Sequence, residues 1–167
     1  LEIYSTRTGM PSDLILCGTR LNSGTYLFGS YDKGAFKMNL EGVCEKLPIP
    51  ATTVWDIEYF NGNAWFATDI GVFRWDFKSE PESYNFGSYP RPVRALKPLK
   101  NRLIVAGEER IGYIENNVLH PYSNFKFNMN KDGNIRDIAF YYTSILVATS
   151  KGLYELNLSK NSQTLLK

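Results

Sequence analysis

The chain of 167 residues contains one histidine and two cysteines. Cys17 and Cys44 are too few for a disulfide framework and carry no information about compartment. His120 would have to anchor any Ser-His-Asp triad or multi-histidine metal site alone, and in the pair His120-Pro121 it is expected to be a surface turn residue. No cofactor or metal is therefore expected. No apolar run approaches the ~20 residues that cross a bilayer, so any membrane attachment would come from regions outside this chain. The opening residues, Leu1-Glu2-Ile3-Tyr4, hold neither an initiator methionine nor a signal peptide, and the chain is expected to be an excised piece of a longer protein. Charge of a single sign is missing too. Nineteen basic and seventeen acidic residues are spread along the chain for a net +2, without the basic stripe that would mark a nucleic-acid partner. Finally, no segment sustains an apolar period of ~3.6 residues, which nearly excludes helix.

What remains is hydrophobic and aromatic. Hydrophobic residues make up 43% of the chain, with 3 Trp, 11 Tyr and 10 Phe, a composition suited to pleated, packed surfaces. One pattern returns four times: a hydrophobic strand, a tight turn, a second strand ending in small residues, a short loop with glycine, and a hydrophobic–aromatic pair. The second strands read Leu27-Phe28-Gly29-Ser30, Trp65-Phe66-Ala67-Thr68, Ile104-Val105-Ala106-Gly107 and Leu146-Val147-Ala148-Thr149. The glycines that follow, Gly34, Gly71, Gly112 and Gly152, are 37, 41 and 40 residues apart, near the ~40-residue period of four-stranded propeller blades. The pairs after them are Ala35-Phe36, Val72-Phe73, Tyr113-Ile114 and Leu153-Tyr154.

Each repeat accommodates four short strands. In the second, Val54–Phe60, Ala64–Thr68, Val72–Phe77 and Ser83–Phe86 are expected strands, with Asn61-Gly62 as a two-residue hairpin turn. In the fourth, the expected strands are Ile135–Tyr141, Ile145–Thr149, Gly152–Leu158 and Gln163–Leu166. Blades packed face to face bring inner strands close together, which accounts for Gly29, Ala67, Ala106 and Ala148 at one aligned position. The loop glycine supplies backbone freedom. The fold class is thus all-β: a β-propeller segment of about four four-stranded antiparallel blades, expected to belong to a larger propeller. Repeat bounds are placed at residues 12–48, 52–90, 91–128 and 133–167.

The run Trp65-Phe66-Ala67-Thr68-Asp69-Ile70-Gly71-Val72-Phe73 resembles the two-component regulator propeller repeat, and Gly9-Met10-Pro11-Ser12 resembles the turn before a new first strand in that family. The other three repeats carry Leu27, Ile104 and Leu146 in place of the Trp. The resemblance implies the periplasmic sensor region of a hybrid two-component histidine kinase of the Bacteroidetes. Such regions respond to oligosaccharides and signal through a following sandwich domain and a membrane helix, parts that lie outside this sequence.

Candidate sites follow from the blade geometry. The first strand starts and the second ends on the same face, so residues there ring the mouth of a central channel. These are Trp55, Arg94 and Arg136 on first strands, with Asp69 and Arg110 in the loops after second strands. A sugar needs flat aromatic faces and forked or charged hydrogen-bond donors, and this set offers both. The competing reading makes them solvated tips or blade-to-blade salt bridges with Asp56 and Asp137. Ungapped alignment sets Cys17 beside Ile57, Leu96 and Ile138, a position for a small buried hydrophobe. The stretch 107–113 is no phosphate loop, because Tyr113 stands where a lysine is required and a strand follows where a helix should. Which two of the seventeen carboxylates would meet as a glycosidase pair is not legible. Ser23-Gly24 and Asp132-Gly133 are read as turn chemistry alone.

The expected function is ligand sensing without catalysis in this segment, with an oligosaccharide or other small ligand as partner. The alternatives are a scaffold for protein assembly and a propeller lyase. Uncovered faces on the first and last blades would favour a homodimer.

Overall fold

The computed structural model describes residues 3–21 and 24–166, so Ser23 of the expected Ser23-Gly24 turn lies outside the described residues. After a short 3-10 turn at Thr6–Thr8, the described residues form sixteen strands in four antiparallel sheets, each a simple meander of consecutive strands. The first sheet holds β1 (Ile15–Arg20), β2 (Tyr26–Ser30), β3 (Ala35–Met38) and β4 (Cys44–Lys46). The second holds β5 (Val54–Phe60), β6 (Asn63–Thr68), β7 (Gly71–Trp75) and β8 (Glu82–Tyr84). The third holds β9 (Val93–Leu99), β10 (Arg102–Gly107), β11 (Ile111–Glu115) and β12 (Val118–Pro121). The fourth holds β13 (Ile135–Tyr141), β14 (Ser144–Thr149), β15 (Gly152–Asn157) and β16 (Ser162–Leu166). The third strand of the second repeat is shorter than expected: it ends at Trp75, and Phe77 sits beyond it with φ of 69°.

The chain divides into two compact units, residues 1–84 with the first two sheets and residues 85–167 with the last two. In the first unit, Leu27, Val54, Ile57, Phe66 and Phe73 form one core; in the second, Ile104, Ile135, Ile145, Val147 and Leu156 form another. Central strands are the most deeply buried. Trp65 and every other residue of β6 after Asn63 are buried. Hiding a ring such as that of Phe66 contributes about 1.5–3 kcal/mol, which explains why alternation gives way here to a continuous apolar run.

Turn chemistry sets the hairpins. Asn61 and Gly62 both have positive φ, 49° and 76°, as a primed two-residue turn requires. At the other end, a hydroxyl ends three of the four second strands and closes the loop. Ser30 Oγ donates to Gly34 O (2.9 Å), Thr68 Oγ1 to Gly71 O (2.8 Å) and Thr149 Oγ1 to Gly152 O (3.0 Å). The same oxygens accept from Lys33, Ile70 and Lys151 backbone N–H. The small-Thr pair in the repeat therefore has a structural cause.

A one-residue bulge recurs in every first strand, between Ile15 and Cys17, Val54 and Asp56, Val93 and Ala95, and Ile135 and Asp137. The extra residues are Leu16, Trp55, Arg94 and Arg136. The pairing register corrects the ungapped alignment. Cys17 pairs with Gly29 just as Asp56, Ala95 and Asp137 pair with Ala67, Ala106 and Ala148. Gly18 is the true counterpart of Ile57, Leu96 and Ile138, and the Phe28 ring fills its missing side chain, 2.9 Å from where a Cβ would stand. Cys17 is only partly buried, packed against the edge of the core.

The third loop needs a second correction. Ala106 pairs with Ile111, as Ala67 pairs with Val72, so Arg110 occupies the position of Gly34, Gly71 and Gly152. Gly112 lies inside β11, where a Cβ would stand 2.5 Å from His120 O. It is glycine because backbone and the Phe86 ring crowd it, not because a loop turns there. His120 is likewise a strand residue of β12, stacked on Tyr113 at 5.0 Å, and not a turn residue.

Candidate functional site

Adjacent sheets within each unit are joined at the end where first strands start. Thr53 Oγ1 donates to Tyr31 O (2.7 Å) and Gly34 N to Thr52 O (2.8 Å) in the first unit. In the second, Ile135 N donates to Glu108 O (3.0 Å). First-strand starts and the loops after second strands thus share one end of each unit. Bulges commonly re-aim a side chain there.

The five expected site residues divide by what holds them. Asp69 Oδ1 accepts from Thr53 N, and Asp69 N donates to Thr53 O, both at 3.2 Å, which pins the loop to the strand entry. Asp32 does the same through Ser12 Oγ at 2.6 Å, and Ser150 Oγ through Asn134 N at 3.1 Å. Arg94 pairs with Glu108 at 2.5 Å, its side chain only 14% exposed. Trp55, half-buried, meets the Tyr31 ring edge-on at 6.0 Å. Arg136 is exposed on its bulge. Asp56 and Asp137 turn their carboxylates to their own bulges, accepting from Ile57 N (2.9 Å) and Ile138 N (2.8 Å).

Of the five, Arg110 lines a cleft of about 460 Å³ in the second unit. One wall is the β10–β11 loop with Glu109 and Arg110. The other is the connection from β12 to β13, with Tyr122, Ser123, Phe125, Lys126 and Phe127. Arg110 Nη1 donates to Phe86 O (2.9 Å), which orients the guanidinium. Phe125 and Phe127 are buried and form the floor, while Lys126 is exposed. Burial, opposed by the nearby Arg102, pushes the Tyr122 phenol above its usual range. This second wall escaped the repeat logic, yet a signal existed: the connection spans residues 122–134, against 47–53 and 85–92 for its counterparts. Long connections in compact domains are often functional.

Asp132, expected to be turn chemistry only, anchors that connection. It is buried, and its carboxylate accepts from Asn128 N and Tyr154 OH, each at 2.9 Å. The Asn128 bond, aided by that of Tyr154, holds the Asp132 carboxyl below the usual carboxylate range, and the same contact raises the Tyr154 phenol.

Charge is not evenly spread, as the sequence had suggested. Residues 1–84 carry seven Lys and Arg against eleven Asp and Glu, formally −4; residues 85–167 carry twelve against six, formally +6. The cleft lies in the basic unit. A second cleft of about 490 Å³ lies at the opposite strand ends of that unit, between the turns that hold Lys100 and Tyr142. Among the described residues, no group of three or more His, Cys, Asp and Glu side chains gathers as a metal site would require.

No family model and no curated protein matches this chain. Solved structures do. The extracellular domain of one hybrid two-component system of B. thetaiotaomicron superposes with a TM-score of 0.75 at 14% identity, over 99% of this chain and 26% of that one. The extracellular domain of a second such system from B. thetaiotaomicron gives 0.76 at 14% identity, over 94% and 22%. Virginiamycin B lyase from Staphylococcus aureus, crystallised with quinupristin, gives 0.72 at 15% identity, over 92% and 55%. The chain spans about a quarter of the length of the two extracellular domains. At these identities the likeness shows the fold, an all-β propeller architecture of four-stranded antiparallel sheets.

Proposed function

We propose that this chain is a ligand-sensing propeller segment of an extracytoplasmic two-component sensor, that its ligand is an oligosaccharide, and that binding is relayed to a histidine kinase. The observation that carries the reading is the cleft at the loop end of the third sheet. There an oriented guanidinium and a lysine stand over a floor backed by Phe125 and Phe127, beside the Tyr122 ring. Sugars are recognised by that combination: forked donors for hydroxyl or carboxylate oxygens, and flat apolar faces for ring C–H groups. The fold shared with extracellular domains of hybrid two-component systems supports the sensor setting and a periplasmic location. The contacts of Trp55 with Tyr31 and of Arg94 with Glu108, each in a loop after a second strand, support the choice of end.

The test is a thermal-shift screen of the chain against an oligosaccharide panel, followed by titration of any hit against Arg110→Ala and the double variant Arg94→Ala/Arg136→Ala. Arg110→Ala should abolish the shift. A hit that survives all three substitutions removes the site from this end of the sheets. A lyase reading has the virginiamycin B lyase likeness behind it; turnover of a bound oligosaccharide or a cyclic depsipeptide would favour it over sensing.

A further inference from the structure

We infer that the ligand taken by the cleft at Arg110 is anionic: a saccharide carrying carboxylate or sulfate groups. This rests on the sensing reading and specifies its ligand class.

Two independent observations lead there. One is the split of formal charge, −4 over residues 1–84 and +6 over residues 85–167, which puts the cleft on a basic body. A field of that sign attracts anions before any contact forms. The other is the cleft's own lining. Arg110 and Lys126 face it from its two walls. Phe86 O holds one guanidinium nitrogen, Nη1, which fixes the plane of the fork. Lys126 also borders a neighbouring cleft that contains Lys131 and Asp132, so a chain longer than one sugar unit would meet a further cation. The acidic groups nearby are three. Glu108, in the same loop, is paired with Arg94. Asp132 spends its carboxylate on Asn128 N and Tyr154 OH. Glu109 lines the cleft beside Arg110, leaving one net positive charge among the lining side chains.

A neutral sugar would fill the cleft but leave its one net positive charge without a counter-charge. An acid group between Arg110 and Lys126 would satisfy both with charge-assisted hydrogen bonds.

The experiment is isothermal titration of the whole chain with trigalacturonate, a sulfated chondroitin disaccharide and neutral galactotriose, at low and at moderate salt. At least one anionic probe should bind about tenfold more tightly than galactotriose and weaken as salt screens the charges. The first two probes separate carboxylate from sulfate recognition. Arg110→Gln and Lys126→Gln should each weaken the anionic probe about five- to tenfold, Arg110→Lys should recover part of the loss, and Lys160→Gln, an exposed cation outside the cleft, should change nothing. Galactotriose binding as tightly as the acids, with Arg110 required, would overturn the inference and leave sugar sensing standing. Anion binding indifferent to both Arg110 and Lys126 would overturn the site. Failure of every saccharide, neutral or charged, would overturn the oligosaccharide reading itself.

Discussion

Gly29 carries the tightest packing in the first unit. A Cβ there would stand 2.5 Å from Cys17 Sγ and 2.7 Å from Val54 Cγ1, against the ~3.5–4 Å at which such atoms attract. Gly29→Ala must therefore push the first strands of the first and second sheets apart by about 1 Å or twist side chains off their rotamers. Overpacking of this kind costs about 1–3 kcal/mol, offset by roughly 0.4–1 kcal/mol from the stiffer unfolded chain. The net loss should lower Tm by several degrees, at about 2–4 °C per kcal/mol for a chain of this size. The third and fourth sheets solve the same problem with other residues, since Ala95 faces Ala106 with Ile135 in the same core. The triple change Cys17→Ala/Gly29→Ala/Val54→Ile copies that arrangement and should restore most of the loss. Urea unfolding of the single and triple variants, with slope and midpoint both fitted, measures this. A Gly29→Ala protein as stable as the parent would refute the packing account, and so would a triple variant no better than the single.

Three further outcomes follow from the same geometry. Asp69→Ala should cost about 1 kcal/mol of stability by releasing the Thr53 tie, and an unchanged urea midpoint would contradict that tie. Tyr142, 91% exposed with φ of 51°, holds a backbone region costly for a bulky side chain. Tyr142→Gly should raise the urea midpoint, for a stability gain of up to about 1 kcal/mol, and an unchanged or lower midpoint would contradict the strain. The lowered folded-state pKa of Asp132 means that its stabilisation is present above the unfolded carboxylate range, about 3.9, and is lost as pH falls through the folded value. Between pH 6 and 3, Asp132→Asn should therefore flatten the acid limb of stability against pH; an identical limb in parent and variant would contradict it.

Much of the fold was legible from local chemistry. Asn61-Gly62 announces a primed hairpin, the small-Thr ending announces a closed loop, and recurrence at about forty residues announces four sheets, because each signal depends on a few neighbouring residues. The candidate site was legible only in part. Arg110 could be placed at a loop end from the repeat and lies in the cleft, but the partners of Arg94 and Asp69, Glu108 and Thr53, are revealed by no local rule. Tyr122 and Lys126 were missed because they belong to no repeat.

Period, strand order and small inner residues were thus determined by the amino-acid order itself, since the two-residue alternation of a strand and the backbone freedom of a turn are properties of short segments. Tertiary structure alone decided the bulge that sets Cys17 opposite Gly29, the arginine in a glycine's place at residue 110, and the crowding that makes Gly112 a strand residue. Each of these is a relation to a partner strand or loop. A one-residue shift in such pairing leaves no trace in the chain until the partner is in place.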